Sequence, residues 1–321
     1  MTGAIVETPA APLVTRLVTR DRGALARAIS LIETGGPAAR SLSAAVAARA
    51  GRAVVVGFTG PPGAGKSSVI AAYITELRRR GSTVAVAAVD PSSPLSGGAV
   101  LGDRIRMAGH TEDPGVFIRS LSSRGHLGGL SAPIQGVIDA MDAAGHDVVL
   151  VEAVGAGQSE VEIVEVADIR VVVNAPGLGD DIQAIKAGIL EIADILVVNK
   201  ADLPGAERTA RQLRGMLALR EAARQDVLVI ETAAIDGRGV AALCEAIEQR
   251  HALAVGGGRA ARRRARAGRL IAQAVARLAE QALRPEQDPA LAAVVDAVAH
   301  GRTDAEAAAL HVLRIMAAAA A

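Results

Sequence analysis

Aromatic residues, cysteines and long apolar runs are scarce in this chain. Two Phe, one Tyr and no Trp make up 1% of its 321 residues, so the aromatic platforms that stack single-stranded nucleic acids are not expected. A single cysteine, Cys244, excludes an internal disulfide framework and a cysteine-rich metal site. No apolar run approaches the ~18 residues that suggest a membrane span.

The net charge and the N-terminal sequence exclude further classes of protein. A formal net charge of +1 gives no sign of bulk nucleic-acid binding. The first twenty residues contain Pro9 and Pro12 and no continuous apolar core, which is not the pattern of a signal peptide. We therefore expect a cytoplasmic protein that binds neither membranes nor nucleic acids, with a core of Ala, Val, Leu and Ile.

A phosphate-binding loop is encoded at residues 60–67. The segment reads GPPGAGKS and fits the pattern GxxxxGK[ST]. It follows a β-branched run at 53–58, which predicts a buried strand, and it leads into a helical pattern at 67–80. Its glycines allow several backbone N–H groups to point at one anion, which the helix N-terminus also faces. We expect Lys66 to reach the β- and γ-phosphates and the Ser67 hydroxyl to bind Mg²⁺.

A second motif, NKAD at 199–202, indicates that the nucleotide carries guanine. It follows an apolar strand pattern, at the strand end where open α/β sheets bind ligands. The Asp202 carboxylate can accept hydrogen bonds from guanine N1–H and the exocyclic amine, a donor pair that adenine lacks. Lys200 can lie along the base, and Asn199 can tie this loop to the phosphate loop. The next strand pattern ends at 231, so a backbone N–H at 232–234 can meet the guanine oxygen.

Two carboxylates at strand ends are the candidate metal ligands. The strand patterns at 84–89 and 148–151 end at Asp90 and Glu152, beside the magnesium expected at Ser67. Hard oxygen ligands suit Mg²⁺, and Gly155 can offer its N–H to the γ-phosphate. The predicted GTP- or GDP-binding residues are Gly60, Pro61, Pro62, Gly63, Ala64, Gly65, Lys66, Ser67, Ser68, Gly155, Asn199, Lys200, Asp202, Thr232, Ala233 and Ala234.

The chain reads as three consecutive parts. Residues 1–50 form an N-terminal helical extension, 51–255 a P-loop GTPase domain, and 256–321 a C-terminal helical arm that begins with three glycines. In the central part helical patterns alternate with seven strand patterns, which predicts an α/β fold with a doubly wound, mostly parallel sheet and helices on both faces. The predicted strands are 53–58, 83–89, 115–119, 147–152, 169–174, 194–199 and 226–231.

Several blocks beyond these motifs resemble one family, the methylmalonyl-CoA mutase-associated GTPases of the MeaB/ArgK type. The resemblance runs from about Ala24 to Gly239. Its most specific blocks, which ordinary GTPases lack, are a VDPSS segment followed by GD, a VGxGQSE segment, and a PGxGD segment followed by QxxKxG. In this chain these blocks lie within Ala88 to Met107, Val151 to Glu160, and Pro176 to Asp194.

The resemblance implies further roles and partners. It places Asp103 with Asp90 and Glu152 around Mg²⁺ and the attacking water, and it makes Lys186 a catalytic candidate that reaches toward the nucleotide. Pro176 to Gly188 resembles an additional switch that senses the partner. That partner would be a cobalamin-dependent acyl-CoA mutase, and the C-terminal arm would form a homodimer.

The chain also departs from the family pattern. Leu95 stands where the family usually has an arginine, so any charge lent to the phosphates there is missing. Asn174 lies in a segment that is usually fully apolar, and the C-terminal arm lacks the usual aromatic residues. These differences question the identity of the mutase more than that of the nucleotide, and a hydroxyacyl- or branched-acyl-CoA mutase is also compatible.

Three other classes of protein share the phosphate loop or the fold. A nickel metallochaperone GTPase would carry a Cys or His cluster near its switches, whereas the six histidines are scattered along this chain. A small-molecule kinase would gain nothing from NKAD, which also argues against an ATPase of arginine transport. A binding module with negligible hydrolysis remains the non-enzymatic alternative.

Overall fold

The structure, a computed structural model, describes most of the chain. The described residues are 10–90, 108–122, 131–153, 166–177, 193–218, 227–254 and 289–320, together with isolated positions between 264 and 283. The chain divides into two units, 1–259 and 260–321. The N-terminal helices belong to the same unit as the nucleotide motifs.

A seven-stranded sheet forms the centre of the first unit, as the sequence predicts. The strands are β1 (Val54–Thr59), β2 (Val84–Asp90), β3 (Val116–Ser122), β4 (Val148–Ala153), β5 (Ile169–Asn174), β6 (Ile195–Val198) and β7 (Leu228–Glu231). Their order is β3-β2-β4-β1-β5-β6-β7, and every pair is parallel. The loop after β1 therefore leaves the middle of the sheet, where ligands bind in open parallel sheets.

Helices cover both faces of this sheet. They are α1 (Ala10–Val18), α2 (Arg22–Thr34), α3 (Gly36–Ala47), α4 (Lys66–Arg79), α5 (Ser131–Ala143), α6 (Ala206–Ala218) and α7 (Val240–Ala254). One core cluster joins α1, α2, α3 and α5 to β2 and β4. A second joins α4 and α7 to the opposite face, and a third packs α6 against β5 and β6. The doubly wound α/β fold is thereby confirmed.

Aliphatic side chains fill this core almost alone. Phe58 and Tyr73 are its largest fully buried residues, and their ring centroids lie 6.0 Å apart between β1 and α4. Cys244 is buried in α7, as predicted, and burial raises the pKa of its thiol to about 12. A thiol with so high a pKa stays protonated and unreactive.

One buried carboxylate fixes the start of β1. Asp142, near the end of α5, is 1% exposed. Its oxygens accept backbone N–H groups of Gly51 at 2.6 Å, Arg52 at 3.1 Å and Ala53 at 3.2 Å. Hydrogen bonds to a charged acceptor are stronger than neutral ones, so this contact anchors the strand that leads into the phosphate loop.

The second unit is helical in its described parts. Helices α8 (Pro289–Ala299) and α9 (Ala305–Ala320) pack against each other. Apolar side chains of this unit that remain exposed include Ile271, Val275, Leu278, Val295, Leu310 and Leu313. None of the helices described in either unit is long and apolar enough to cross a membrane.

The imidazole of His146 makes the stability of the fold depend on pH. Burial and the positive charge of Arg20 lower its pKa from 6.5 to about 4; Arg22 acts in the same direction, and Asp147 opposes them. Since the fold favours the neutral ring, this contribution is complete above pH 6.5 and is lost as the pH falls from 6.5 towards 4. The ring is partly exposed, so we expect a loss of about 1–3 kcal/mol.

Urea unfolding at several values between about pH 7 and pH 4.5 measures this loss. His146→Gln should flatten the decline in the free energy of unfolding over that window, because the substituted side chain does not titrate. His311→Gln, at an exposed position of α9, should leave the decline as in the wild type. An unchanged decline in His146→Gln would assign the acid sensitivity to other groups.

Candidate nucleotide site

The phosphate loop joins β1 to α4 through two glycines that no other residue could replace without strain. Gly60 has φ +137°, and a Cβ there would overlap the backbone carbonyl of Val173 in β5. Gly65 has φ +86° at the N-cap of α4, and a Cβ there would overlap the side-chain amide of Asn199. Both positions need glycine for its conformation and for its lack of a side chain.

The Lys66 ammonium lies at the mouth of this loop. Lys66 is 8% exposed, and its Nζ donates to the backbone carbonyls of Gly60 at 2.8 Å and Pro61 at 3.2 Å. Ala64 is buried, and Ser68 faces solvent from the first turn of α4. The loop thus holds a buried cation at a helix N-terminus, where an anionic ligand is favoured.

A buried hydroxyl–carboxylate pair lies beside the lysine. Ser67 Oγ donates to Glu152 Oε1 at 2.7 Å, and the two residues are 4% and 1% exposed. Ser67 comes from α4 and Glu152 from the end of β4, so the structure brings these two predicted ligands together. Hydroxyl and carboxylate oxygens are ligands that suit Mg²⁺, and the pair fits the implied metal. The described residues contain no cluster of three or more His, Cys, Asp or Glu that could bind a metal ion by themselves.

The other predicted catalytic residues are only partly placed. Asp90 is the last residue of β2, in register with Ser122 of β3, so its backbone reaches the same carboxyl edge of the sheet as Glu152. The side chain of Asp90 lies outside what the structure describes, as do Asp103, Gly155 and Lys186. Their roles stay predictions.

The Asn199 side chain connects three loops at this edge. Its Nδ2 donates to the carbonyl of Ala64 in the phosphate loop at 3.0 Å. Its Oδ1 accepts from Thr232 Oγ1 and from the Ala234 backbone N–H, both at 3.3 Å. The residue is 2% exposed, so these hydrogen bonds form away from water, where they are stronger than at the surface. The predicted tie between the NKAD and phosphate loops is present.

The residues that would read the base project from the same loop. Lys200 has φ +57°, a rare conformation for a residue with a side chain, and its Cε lies 4.0 Å from where a Gly65 Cβ would be. Its stem therefore lies over the phosphate loop. Asp202 is exposed and borders an open groove of 740 Å³ along residues 201–208 and Arg211.

The loop after β7 completes this side of the site. The Thr232 carbonyl accepts the Ala201 N–H at 2.9 Å, and the Ala233 N–H donates to the Arg238 carbonyl at 3.0 Å. Ile235, which is not among the residues predicted for the site, stands at the tip of this turn with 88% of its surface exposed. Its place in the sequence, directly after the predicted Ala234, is the feature that could have indicated it as a site residue.

A phosphate loop at the centre of a parallel sheet, joined by a buried asparagine to an NKxD loop, defines a P-loop GTPase. The chain belongs to the family described as methylmalonyl-CoA mutase-associated GTPase MeaB, whose family profile matches residues 25–287. The protein is accordingly a GTPase that binds GTP and GDP.

Relatives and a solved structure agree with this membership. The Pyrococcus horikoshii protein PH0274 is 49% identical over 245 residues, which cover 75% of this chain and 77% of that protein. The GTPase ArgK of Escherichia coli is 43% identical over 202 residues, or 62% of this chain and 61% of ArgK. The crystal structure of an LAO/AO transport system kinase superposes with a TM-score of 0.73 at 26% identity, covering 98% of this chain and 99% of that one.

Guanine selectivity should depend on Asp202. In Asp202→Asn the charged acceptor is lost, and hydrogen bonds to a charged group contribute about 1.5–3 kcal/mol, so we expect GDP to bind about 10- to 150-fold more weakly. Isothermal titration with GDP and ADP measures the preference. Glu207→Gln, which removes a charge from the same groove, should bind GDP as the wild type does. Comparable affinities of the wild type for GDP and ADP would contradict the assignment.

Glu152 should be needed for hydrolysis more than for nucleotide binding. Glu152→Ala removes the carboxylate that accepts from Ser67 Oγ, and loss of such an orienting or ligating group typically costs 10–100-fold. We expect GDP affinity close to the wild type and a turnover number lower by about that factor. Thr75→Ala, at an exposed position of the same helix away from the phosphate loop, is the control. Normal GTP turnover by Glu152→Ala would exclude the metal and water assignment.

Proposed function

We propose that this GTPase is a chaperone of a cobalamin-dependent acyl-CoA mutase, either methylmalonyl-CoA mutase or a related enzyme. It would gate the loading of adenosylcobalamin, or protect and reactivate the mutase, and act in the cytoplasm. The family membership supports this proposal, because the family is described by its association with methylmalonyl-CoA mutase. The resemblance of Pro176 to Gly188 to a partner-sensing switch supports it further.

The network around Asn199 is the structural observation that carries the proposal. One buried amide of the NKAD loop contacts both the phosphate loop and the loop after β7. In addition, the Asn199 backbone N–H donates at 2.7 Å to the carbonyl of Asn174, three residues before Gly177. We propose that this bond couples nucleotide binding to β5, the strand that leads into the proposed switch. A protein built in this way can deliver a conformational signal.

The site residues can be assigned steps in nucleotide binding and hydrolysis. Asp202 and Lys200 orient the base, and phosphate oxygens compete with the Gly60 and Pro61 carbonyls for the Lys66 ammonium. Ser67 and Glu152 would hold Mg²⁺, which neutralises charge on the phosphates when bound. We further propose that Asp90 and Asp103 contribute to the metal shell, that the Gly155 N–H meets the γ-phosphate, and that Lys186 approaches the nucleotide.

Assembly as a homodimer is part of the same proposal. The second unit carries exposed aliphatic residues on its described helices, among them Leu310 and Leu313. Large apolar side chains that are exposed on a helix are candidates for burial in an interface. A second copy of the chain, related by a twofold axis, would cover this surface symmetrically.

The proposal predicts reciprocal coupling between nucleotide and mutase. Adding purified adenosylcobalamin-dependent mutase from the same organism should raise GTP turnover. The factor by which nucleotide changes the affinity for mutase should equal the factor by which mutase changes the affinity for nucleotide. Exchanging both Asp180 and Asp181 for alanine should weaken the stimulation while basal turnover stays normal, because these charges belong to the proposed partner switch.

Steady-state GTP hydrolysis against increasing mutase concentration measures both effects. Glu112→Ala, a surface carboxylate on the described loop before β3, serves as the matched control and should be stimulated like the wild type. If no cobalamin-dependent mutase of the organism changes GTP turnover, the mutase is rejected as the partner, whereas the assignment as a GTPase is unaffected.

A further inference from the structure

Two buried polar groups on neighbouring strands lack hydrogen-bond partners within the part of the chain that the structure describes. Thr59 ends β1 and is 1% exposed, and Asn174 ends β5 and is 2% exposed. Thr59 Oγ1 and Asn174 Nδ2 have no partner there. Asn174 Oδ1 accepts only the N–H of the next residue, Ala175, at 3.3 Å. Such groups are rare in native proteins, and each calls for an explanation.

The two side chains lie on one face of the sheet and close to each other. Thr59 is in register with Val172, and the preceding pair, Phe58 and Val171, faces the opposite core cluster. Because side chains alternate along a strand, Thr59, Val172 and Asn174 share the other face. Strand spacing and rise put the Cα atoms of Thr59 and Asn174 about 8 Å apart on the diagonal. That distance is within the combined reach of the two side chains.

Both residues adjoin the parts of the nucleotide site that must respond to a ligand. Thr59 directly precedes Gly60, whose carbonyl accepts from Lys66 Nζ and whose Cα packs on the Val173 carbonyl. Asn174 accepts the Asn199 N–H at its own carbonyl. Phosphates that draw the Lys66 ammonium away would remove this hydrogen bond from the Gly60 carbonyl, directly beside Thr59.

We infer that Thr59 Oγ1 and Asn174 form a hydrogen bond across β1 and β5 when nucleotide is bound. Thr59 and Asn174 are then positioning residues: they fix the first residue of the phosphate loop against β5 without touching the nucleotide. A hydrogen bond that forms only in the nucleotide-bound state raises nucleotide affinity, because it stabilises the state that the ligand binds. In the free protein the same groups are a cost, because a buried donor without a partner is unfavourable. This inference requires nucleotide binding at the site but neither hydrolysis nor a mutase.

Opposite effects on stability and affinity distinguish this role from simple packing. Thr59→Val removes one unpartnered polar group at similar volume, so without nucleotide it should unfold at a urea concentration no lower than the wild type. Asn174→Leu removes the unpartnered Nδ2 together with Oδ1, which accepts only a long bond from the Ala175 N–H at 3.3 Å, so it should lose little stability. Each variant should bind GDP about fivefold more weakly, the value of one ordinary hydrogen bond. The double variant should bind no more weakly than either single variant, because all three lack the same bond.

Two further variants serve as controls in the same titrations. Thr59→Ser retains the hydroxyl and should keep GDP affinity within about twofold of the wild type. Val172→Ala, on the same face, should lower stability but leave the affinity unchanged. GDP affinities of Thr59→Val and Asn174→Leu within about twofold of the wild type would overturn the inference. Additive losses in the double variant, or a large loss of stability of either single variant without nucleotide, would overturn it as well.

Discussion

The Asn199 side-chain amide is the contact on which the geometry of the nucleotide site depends. It accepts from the loop after β7 and donates to the phosphate loop, and it does so within a buried space that Gly65 leaves open. A side chain at position 65 would occupy the place of the amide, and an apolar residue at 199 would leave the Ala64 carbonyl and the Ala234 N–H without this partner. The glycine and the asparagine therefore depend on each other, although 134 positions separate them.

The sequence predicted the parts of this arrangement that follow from local pattern. Seven β-branched runs separated by helical patterns are sufficient for a doubly wound sheet, and the glycines, lysine and serine of GPPGAGKS have one known use in that setting. Asp142 could not be predicted in the same way, because its three backbone donors lie about ninety positions away. A carboxylate in a helix reads as a solvent-facing residue unless the chain segment that meets it is known.

Strand order explains the other contacts that sequence alone does not reveal. Local sequence patterns do not indicate that β5 lies beside β1. This adjacency puts Thr59 on a diagonal to Asn174 and the Val173 carbonyl against Gly60. Asn174 could be seen in the sequence only as a departure from an apolar pattern. The structure places its side-chain amide in the core. There, by our inference, it lowers the stability of the free protein and raises the affinity for nucleotide.

The scarcity of aromatic residues has a spectroscopic consequence. The chain has no tryptophan and a single tyrosine, Tyr73, which is buried in α4 with its ring 6.0 Å from that of Phe58. The same helix begins at Lys66, so the strongest intrinsic fluorophore of the chain lies two turns from the phosphate-binding end. Ultraviolet emission from the unlabelled protein therefore reports on one place, the interface between the central strand and the helix that receives the phosphates, against an almost silent background.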